Sequence, residues 1–403
     1  MKDRVRILLL LLLLPGALLI AQNPKNQTPM YEAAWKTIDS LEEQGLPRSA
    51  LKEVEALAQR ARREEAHAQI VKTLIYRNKY LAQLQEAGLA GVIQRMEAET
   101  DAASYPLQPV LHSLLGELYQ QYLNQNLYRI RQRTETIGKR PDDLETWSIG
   151  QLLSRAAEHY LHSLDDQRTF SISIADWKAI IANEKAVEHD LRPTLYDFLA
   201  HRALDHFMDD RSYLNEPAYR FVLDDPAAFA EADQFVQLEF PTPDTTSGLR
   251  YSLHIFQELL QGRLSEENAA ALLDADLRRL SHVYNQAVND NKDELYREAL
   301  QRMQAAYAES PEVAQVWFKL AEYHYGKGNT YEPGTAPAHR WSLKKASELC
   351  EQAIAQYPKS YGANQCQALL RRIRQASANI QVEAVLPPQG DWLIAPQDRN
   401  VSK

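Results

Sequence analysis

His159 and His162 stand three residues apart, a spacing that puts two imidazoles on one face of a helix, where they could share a metal ion. No third ligand follows at helical spacing. A His-Glu-x-x-His pattern is absent too, because Glu158 precedes His159 and the second histidine comes one residue early. The pair therefore reads as solvated or helix-capping side chains, and no metal is expected. His201, Asp205 and His206 make a second group. Asp205 lies one helical turn from His201 and suits a local pair, but no motif points to a serine or cysteine nucleophile beside them, so a structural role is expected.

Cys350 and Cys366 are the only cysteines. They sit almost symmetrically about the Tyr357-Pro358 turn, so two antiparallel helices would bring them level. The spacing fits either a disulfide in an oxidising compartment or two buried thiols within a helical pair. A metal site on these thiols lacks a third and fourth ligand nearby. Cys350-Glu351-Gln352 is one residue short of the Cys-x-Glu-Gln pattern in which a glutamine side chain acylates the thiol. No glycine-rich phosphate loop and no basic patch with interleaved aromatics occurs. No catalytic residue and no cofactor is assigned, and the chain is expected to be non-catalytic.

The elements that must carry these residues are helical. Ala299, Met303, Ala306 and Pro311 are spaced 4, 3 and 5 apart, and Ala346, Cys350, Ala353 and Pro358 repeat that spacing. This is the second-helix half of a tetratricopeptide (TPR) unit: small residue, large apolar residue one turn on, small residue, helix-ending proline. Trp317, Leu320 and Ala321 supply the first-helix half in the same 34-residue frame. Small residues let neighbouring helices approach, and large ones fill the space beside them. Roughly 13 residues are inserted between Ala321 and Ala346 relative to that frame. The insert, Gly326–Leu343, contains Gly326, Gly328, Pro333, Gly334 and Pro337 and reads as a loop.

Upstream, Ala34, Trp35, Ile38 and Leu41 recur at helical spacing, as do Leu51, Val54, Leu57 and Ala61. Gly45-Leu46-Pro47 separates these two helices. Further helices are predicted over Ala66–Leu84, Val110–Gln132 and Ile149–Leu164, with turns at Gly88–Gly91 and Tyr105-Pro106. Asp176 is expected to open another helix through Trp177 and Ile181, and Pro193 to sit in the first turn of a helix carrying Leu195, Phe198, Leu199 and Phe207. Residues 210–248 hold Pro217, Pro226, Pro241 and Pro243 and read as an irregular connection with short helices. Beyond Ser377 the character changes. Ile380–Leu386 alternates apolar and polar residues and Trp392–Ile394 is strand-like, so 380–403 is read as the start of a β domain inside which this sequence stops.

Composition agrees with a helical protein: among 403 residues there are only 14 glycines, with 45% hydrophobic and 25% charged residues. Lys2, Arg4 and Arg6 precede an apolar run from Ile7 to Ile20, the form of a secretory signal, with cleavage after Ala21. The run is short for a spanning helix, which needs about 20 residues, and no cysteine follows it for lipid attachment. Removing 1–21 takes away three cations and one anion (Asp3) and moves the formal net charge from −9 to −11. Such a surface repels nucleic acid and anionic lipid, leaving proteins as the expected partners. The expected organisation is a signal peptide (1–21), a disordered mature N-terminus (22–30), an N-terminal helical repeat region (31–209), a connection (210–248), C-terminal TPR-like repeats (249–379) and a truncated β domain (380–403). The product is expected to be exported, to the periplasm or cell envelope or beyond.

Several stretches together resemble the N-terminal region of large alpha-2-macroglobulin-like proteins of Bacteroidetes-type bacteria. They are Tyr31–Lys36 with Trp35, Gly45–Leu51, Leu111–Tyr119, Glu145-Thr146-Trp147, and Arg192-Pro193-Thr194-Leu195-Tyr196-Asp197-Phe198-Leu199. The resemblance implies a mainly α, TPR-like solenoid ahead of macroglobulin-type β-sandwich domains, in a secreted or periplasmic endopeptidase inhibitor that traps proteases after cleavage of a bait region. Bait and thioester would lie outside this sequence, so the chain itself would be a scaffold that contacts protein partners. The other expected role is an exported TPR-type adaptor or glycan-uptake accessory protein.

Overall fold

The computed structural model describes residues 29–84, 88–131, 143–181, 190–209, 219–266, 268–332, 337–382 and 394–399, with the backbone alone in 377–382 and 394–399. The expected signal segment lies outside these residues. The described chain is mainly helical and falls into two compact units, one running to Leu223 and resuming at Ala232–Ala275, the other formed by Asp224–Glu231 and Asp276 onward.

The first unit opens with α1 (Pro29–Glu43), α2 (Pro47–Arg63), α3 (His67–Leu84) and α4 (Gly88–Ala102). Pro29 and Met30 therefore belong to a helix and not to a disordered N-terminus, as suits a proline at a helix start. α1 ends at Gly45, whose φ of +72° lets Leu46 donate back to the Leu41 carbonyl at 2.9 Å. Pro47 then starts α2, whose stripe Ala50, Val54, Leu57 and Ala61 is buried. Trp35 is buried against Tyr76 and donates from Nε1 to Gln69 Oε1 at 2.8 Å. The turn expected over Gly88–Gly91 is instead the first turn of α4, which seats Leu89 and Val92 in the core.

α5 (Leu107–Ile130) and α6 (Ile149–His162) pack closely. They run antiparallel, since His112 meets His162 at one end and Tyr119 meets Trp147 at the other. Gly116 permits the approach: a Cβ there would lie 2.7 Å from the Tyr160 ring. Ser148 caps α6 with a reciprocal Gln151 contact. The helix expected from Asp176 is a 3-10 turn, Ile174–Ile180, held by backbone pairing of Ser173 with Thr194. α7 (Leu195–Phe207) begins after Thr194, so Pro193 precedes the cap and does not occupy the first turn. The Thr194 hydroxyl and the Asp197 carboxylate close a capping box there. After the short α8 (Ala232–Phe235), α9 (Gly248–Leu264) lays Phe256, Leu259 and Leu260 into the core beside α7. That apolar face ties α9 to the first unit, which extends to Ala275 within α10 (Ala269–Gln286).

In the second unit, Arg279 is fully buried. It pairs with Asp276 and donates to the carbonyls of Ala228 and Ala230 at 2.6 and 2.9 Å. Arg302 reaches the Phe229 carbonyl at 2.9 Å and Asn289 that of Asp224 at 2.5 Å. Three side chains thus hold the backbone of 224–231. Next come α11 (Lys292–Ala306), α12 (Val313–Asn329), α13 (Ser342–Gln356) and α14 (Tyr361–Arg374). α12, α13 and α14 pack mutually around Trp317, Ala321, Ala346, Cys350, Ala353, Cys366 and Leu369. Leu320 is buried as well. Ala299 is buried, but Met303 is only half-buried and Ala306 and Pro311 are exposed. The first repeat half therefore lacks the packing of the second, because α11 buries Tyr296, Ala299 and Leu300 while its last turn stays open. The expected loop Gly326–Leu343 is shorter than predicted. α12 continues through Gly326 and Gly328 to Asn329, since Gly328 meets Leu343, where a Cβ would lie 2.6 Å from its side chain.

β1 (Ser377–Val382) pairs antiparallel with β2 (Ile394–Arg399), Ser377 opposite Arg399 and Val382 opposite Ile394. Of the strands expected at Ile380–Leu386 and Trp392–Ile394, residues 380–382 and Ile394 lie in this pair, and residues 383–393 lie outside the described residues. Pro396 lacks an N–H, and a two-stranded ribbon, being all edge, tolerates it. A β-sandwich is not seen among the described residues.

Candidate functional site

α5 and α6 gather the most concentrated chemistry of the first unit. His159 is buried, not solvated, with 3% exposure. Its Nδ1 lies 2.9 Å from Nδ1 of His112, a residue 47 positions earlier. The His112 ring stands 5.2 Å from His159 and 5.3 Å from His162, centre to centre. His162 is half exposed and its Nδ1 lies 2.9 Å from Asp165 Oδ2. Behind His159, Glu97 Oε1 lies 3.9 Å from Nε2, accepts from the Tyr119 hydroxyl at 2.6 Å and binds Arg155 at 3.0 Å. Arg155 also pairs with Glu158 at 3.2 Å.

Burial, and then the neighbouring imidazoles, push His112 down to about 4. Burial lowers His159 as well, against the opposing pull of Glu97. Burial alone would raise Glu97, but the His159 imidazole, the Tyr119 hydroxyl and Arg155 hold it at about 2. At neutral pH His112 and His159 are thus neutral imidazoles, the latter backed by the Glu97 carboxylate. Among the described residues no three His, Cys, Asp or Glu side chains already surround a common point.

The second histidine group is dispersed. His201 is buried with Nε2 3.9 Å from Asp274, and His206 is buried with Nδ1 2.6 Å from Gln120 Oε1 and its ring stacked on Tyr160. Asp205 on the same helix is exposed. The stretch 192–198 is an anchoring device. Arg192 binds Asp274 at 3.0 Å, and Tyr196 stacks on Phe170 and donates to Glu258 at 2.8 Å. Asp197 faces the fully buried Arg263 at 3.5 Å, and Phe198 is half-buried beneath Arg202. Trp147 is buried and stacks on Tyr119 at 5.8 Å.

In the second unit Cys350 and Cys366 are buried free thiols, so of the two readings the sequence left open the structure holds the unbridged one. The hydrogen bond it gives to Cys350, with burial, raises the Cys366 thiol. Beside this seam α13 and α14 leave an open groove of about 600 Å³, floored by Ile354 and Leu370 and rimmed by Arg371, Arg372 and Arg374. Arg372 lies over the Tyr325 ring and Arg374 binds Glu351 at 2.6 Å. The groove was not legible in the sequence.

No family model, no curated protein and no solved structure matches this chain. Among the described residues no helix is long and apolar enough to cross a membrane.

Proposed function

We propose that the chain is a helical scaffold for protein–protein contact, the N-terminal region of an exported alpha-2-macroglobulin-like protease trap. One observation carries this reading: packed helical hairpins end in an apolar-floored, arginine-rimmed groove at the point where the chain passes from α14 into the strand pair β1–β2. A groove of that kind suits an apolar segment carrying acidic residues. Its place at the helix-to-strand junction suits contact with β domains or with a client presented to them. On this reading α12–α14 is a TPR-like repeat, the upstream hairpins are degenerate relatives of it, and the strand pair opens a macroglobulin-type β-sandwich. The chain supplies architecture and the downstream domains supply bait and capture.

Two measurements test it. The intact mass of the native product from its own cells, with the reading frame followed past Lys403, is expected to exceed a thousand residues and to include β domains. That product is expected to retain an added endoprotease after bait cleavage, and the double substitution Arg371→Glu with Arg372→Glu is expected to weaken capture. A native product without β domains would overturn the trap assignment and leave an exported adaptor.

A further inference from the structure

The paired helices α5 and α6 set the His112 ring beside both His159 and His162, and nothing in the scaffold role requires them there. We propose that His112, His159 and His162 form a binding site for a borderline divalent transition metal, Zn²⁺ being the best fit, which ties α5 to α6.

Distances carry the argument. With metal–nitrogen bonds of about 2.0–2.1 Å and a ring centre about 1.1 Å beyond the nitrogen, two imidazoles on a tetrahedral ion have centres about 5.2 Å apart. The His112–His159 and His112–His162 rings stand 5.2 and 5.3 Å apart. Two nitrogens on such an ion lie about 3.3 Å apart, so the 2.9 Å between Nδ1 of His112 and Nδ1 of His159 must open only slightly. On binding the ion the half-exposed His162 side chain is to rotate and bring its Nε2 in as the third ligand, with water in the fourth position.

The surroundings fit as well. Metal-bound histidines pass their other N–H to a carboxylate or carbonyl, which fixes the tautomer. Asp165 stands 2.9 Å from His162 Nδ1, leaving the Nε2 lone pair for the metal. Glu97 faces His159 Nε2, leaving its Nδ1 lone pair for the metal. That Nε2 is buried and without a hydrogen bond at 3.9 Å; coordination at Nδ1 makes the ring N–H a stronger donor toward Glu97. The nearby Arg155 is held by Glu97 and Glu158. The carboxylates of Glu97, Glu158 and Asp165 favour a dication.

The test is calorimetric titration of the protein with Zn²⁺, repeated with Co²⁺ and followed by visible absorption. One equivalent is expected to bind, with the absorption of a nitrogen-coordinated Co²⁺ ion and a raised unfolding temperature. His162→Ala changes a half-exposed side chain and leaves the fold intact; it is expected to lower affinity at least tenfold. His112→Gln is expected to do the same, and Asp165→Asn to lower affinity about tenfold. His339→Ala, in the other unit, is expected to change nothing. Absence of one-equivalent binding at micromolar Zn²⁺, or affinity unchanged in both His162→Ala and His112→Gln, would show that His112 and His159 share only a hydrogen bond and would overturn the site.

Discussion

Replacing Gly362 by alanine isolates how closely α14 approaches α12. A Cβ at Gly362 would stand 2.2 Å from the Ala314 carbonyl carbon, 2.3 Å from the Gln315 nitrogen and 2.5 Å from the Ala314 oxygen. Ordinary contact begins near 3.4 Å, so the two backbones must separate by about 1 Å, and backbone atoms have no rotamer by which to yield. Overpacking of this kind costs about 1–3 kcal/mol, and more where the neighbour is rigid. Alanine in a helix recovers at most about 1 kcal/mol, less in a first turn. The net expectation is a loss of about 2–3 kcal/mol for Gly362→Ala. Gly326 is the control: it lies inside α12, and a Cβ there meets nothing within 4 Å. Gly326→Ala is expected to stabilise by about 0.5–1 kcal/mol. Urea unfolding followed by circular dichroism measures both. If Gly362→Ala stayed within about 0.5 kcal/mol of the parent, or Gly326→Ala lost as much as Gly362→Ala, the close-approach argument would fail.

The buried His206 and His282 give the chain an acid sensitivity. Burial holds both at about 4 in the folded chain, against about 6.5 unfolded. Their folded affinity for protons is depressed, so between these values the unfolded chain binds more protons and stability falls as pH falls. The contribution is full above about 6.5 and exhausted near 4, and about 2.5 units correspond to roughly 3 kcal/mol per histidine at most. Urea midpoints between pH 7.5 and 4.5 should therefore drop, less steeply in His206→Gln; equal slopes in the two proteins would rule out that histidine. Thr194→Val removes the hydroxyl that both caps α7 and donates to the buried Asp197 carboxylate, and is expected to destabilise by about 1–2 kcal/mol; a loss below about 0.3 kcal/mol would contradict the capping role. Cys350 and Cys366 are expected to resist a thiol reagent in the folded chain and to react together on unfolding; prompt reaction in the folded chain would show that the seam is open.

Local patterns were readable where one segment sufficed. The α2 stripe at Ala50, Val54, Leu57 and Ala61 and the α13 stripe at Ala346, Cys350 and Ala353 were visible because helical spacing names the buried face directly. Three features escaped for reasons of chemistry between segments. Gly326 and Gly328 read as loop residues, yet Gly328 is helical because a neighbouring segment, at Leu343, needs the space. Pro193 drew the helix start to itself, while the stronger signal was Thr194-x-x-Asp197, an acidic form of the capping box. His112 carried no sign of its partners, since periodicity tells which face a side chain occupies and not what lies opposite. The equivalence of Met303 and Ala306 with Cys350 and Ala353 was one of spacing alone: the second pair meets an adjacent helix at every small residue, and the first ends exposed.

The hold of Arg279, Asn289 and Arg302 on residues 224–231 has a consequence for the order of assembly. The two units interleave along the chain, because the held segment belongs to the second while Ala232–Ala275 returns to the first. A nascent chain that has delivered everything through Leu223 still lacks α9, whose Phe256, Leu259 and Leu260 complete the first core. The segment in turn waits for Arg279, 51 residues beyond Ala228. Loops of that span close slowly, so the first unit cannot finish ahead of the chain that encodes the start of the second. A single cut between 223 and 232 would sever a closed weave and weaken both units at once, which makes this stretch a sensitive place for a protease to report on the whole molecule.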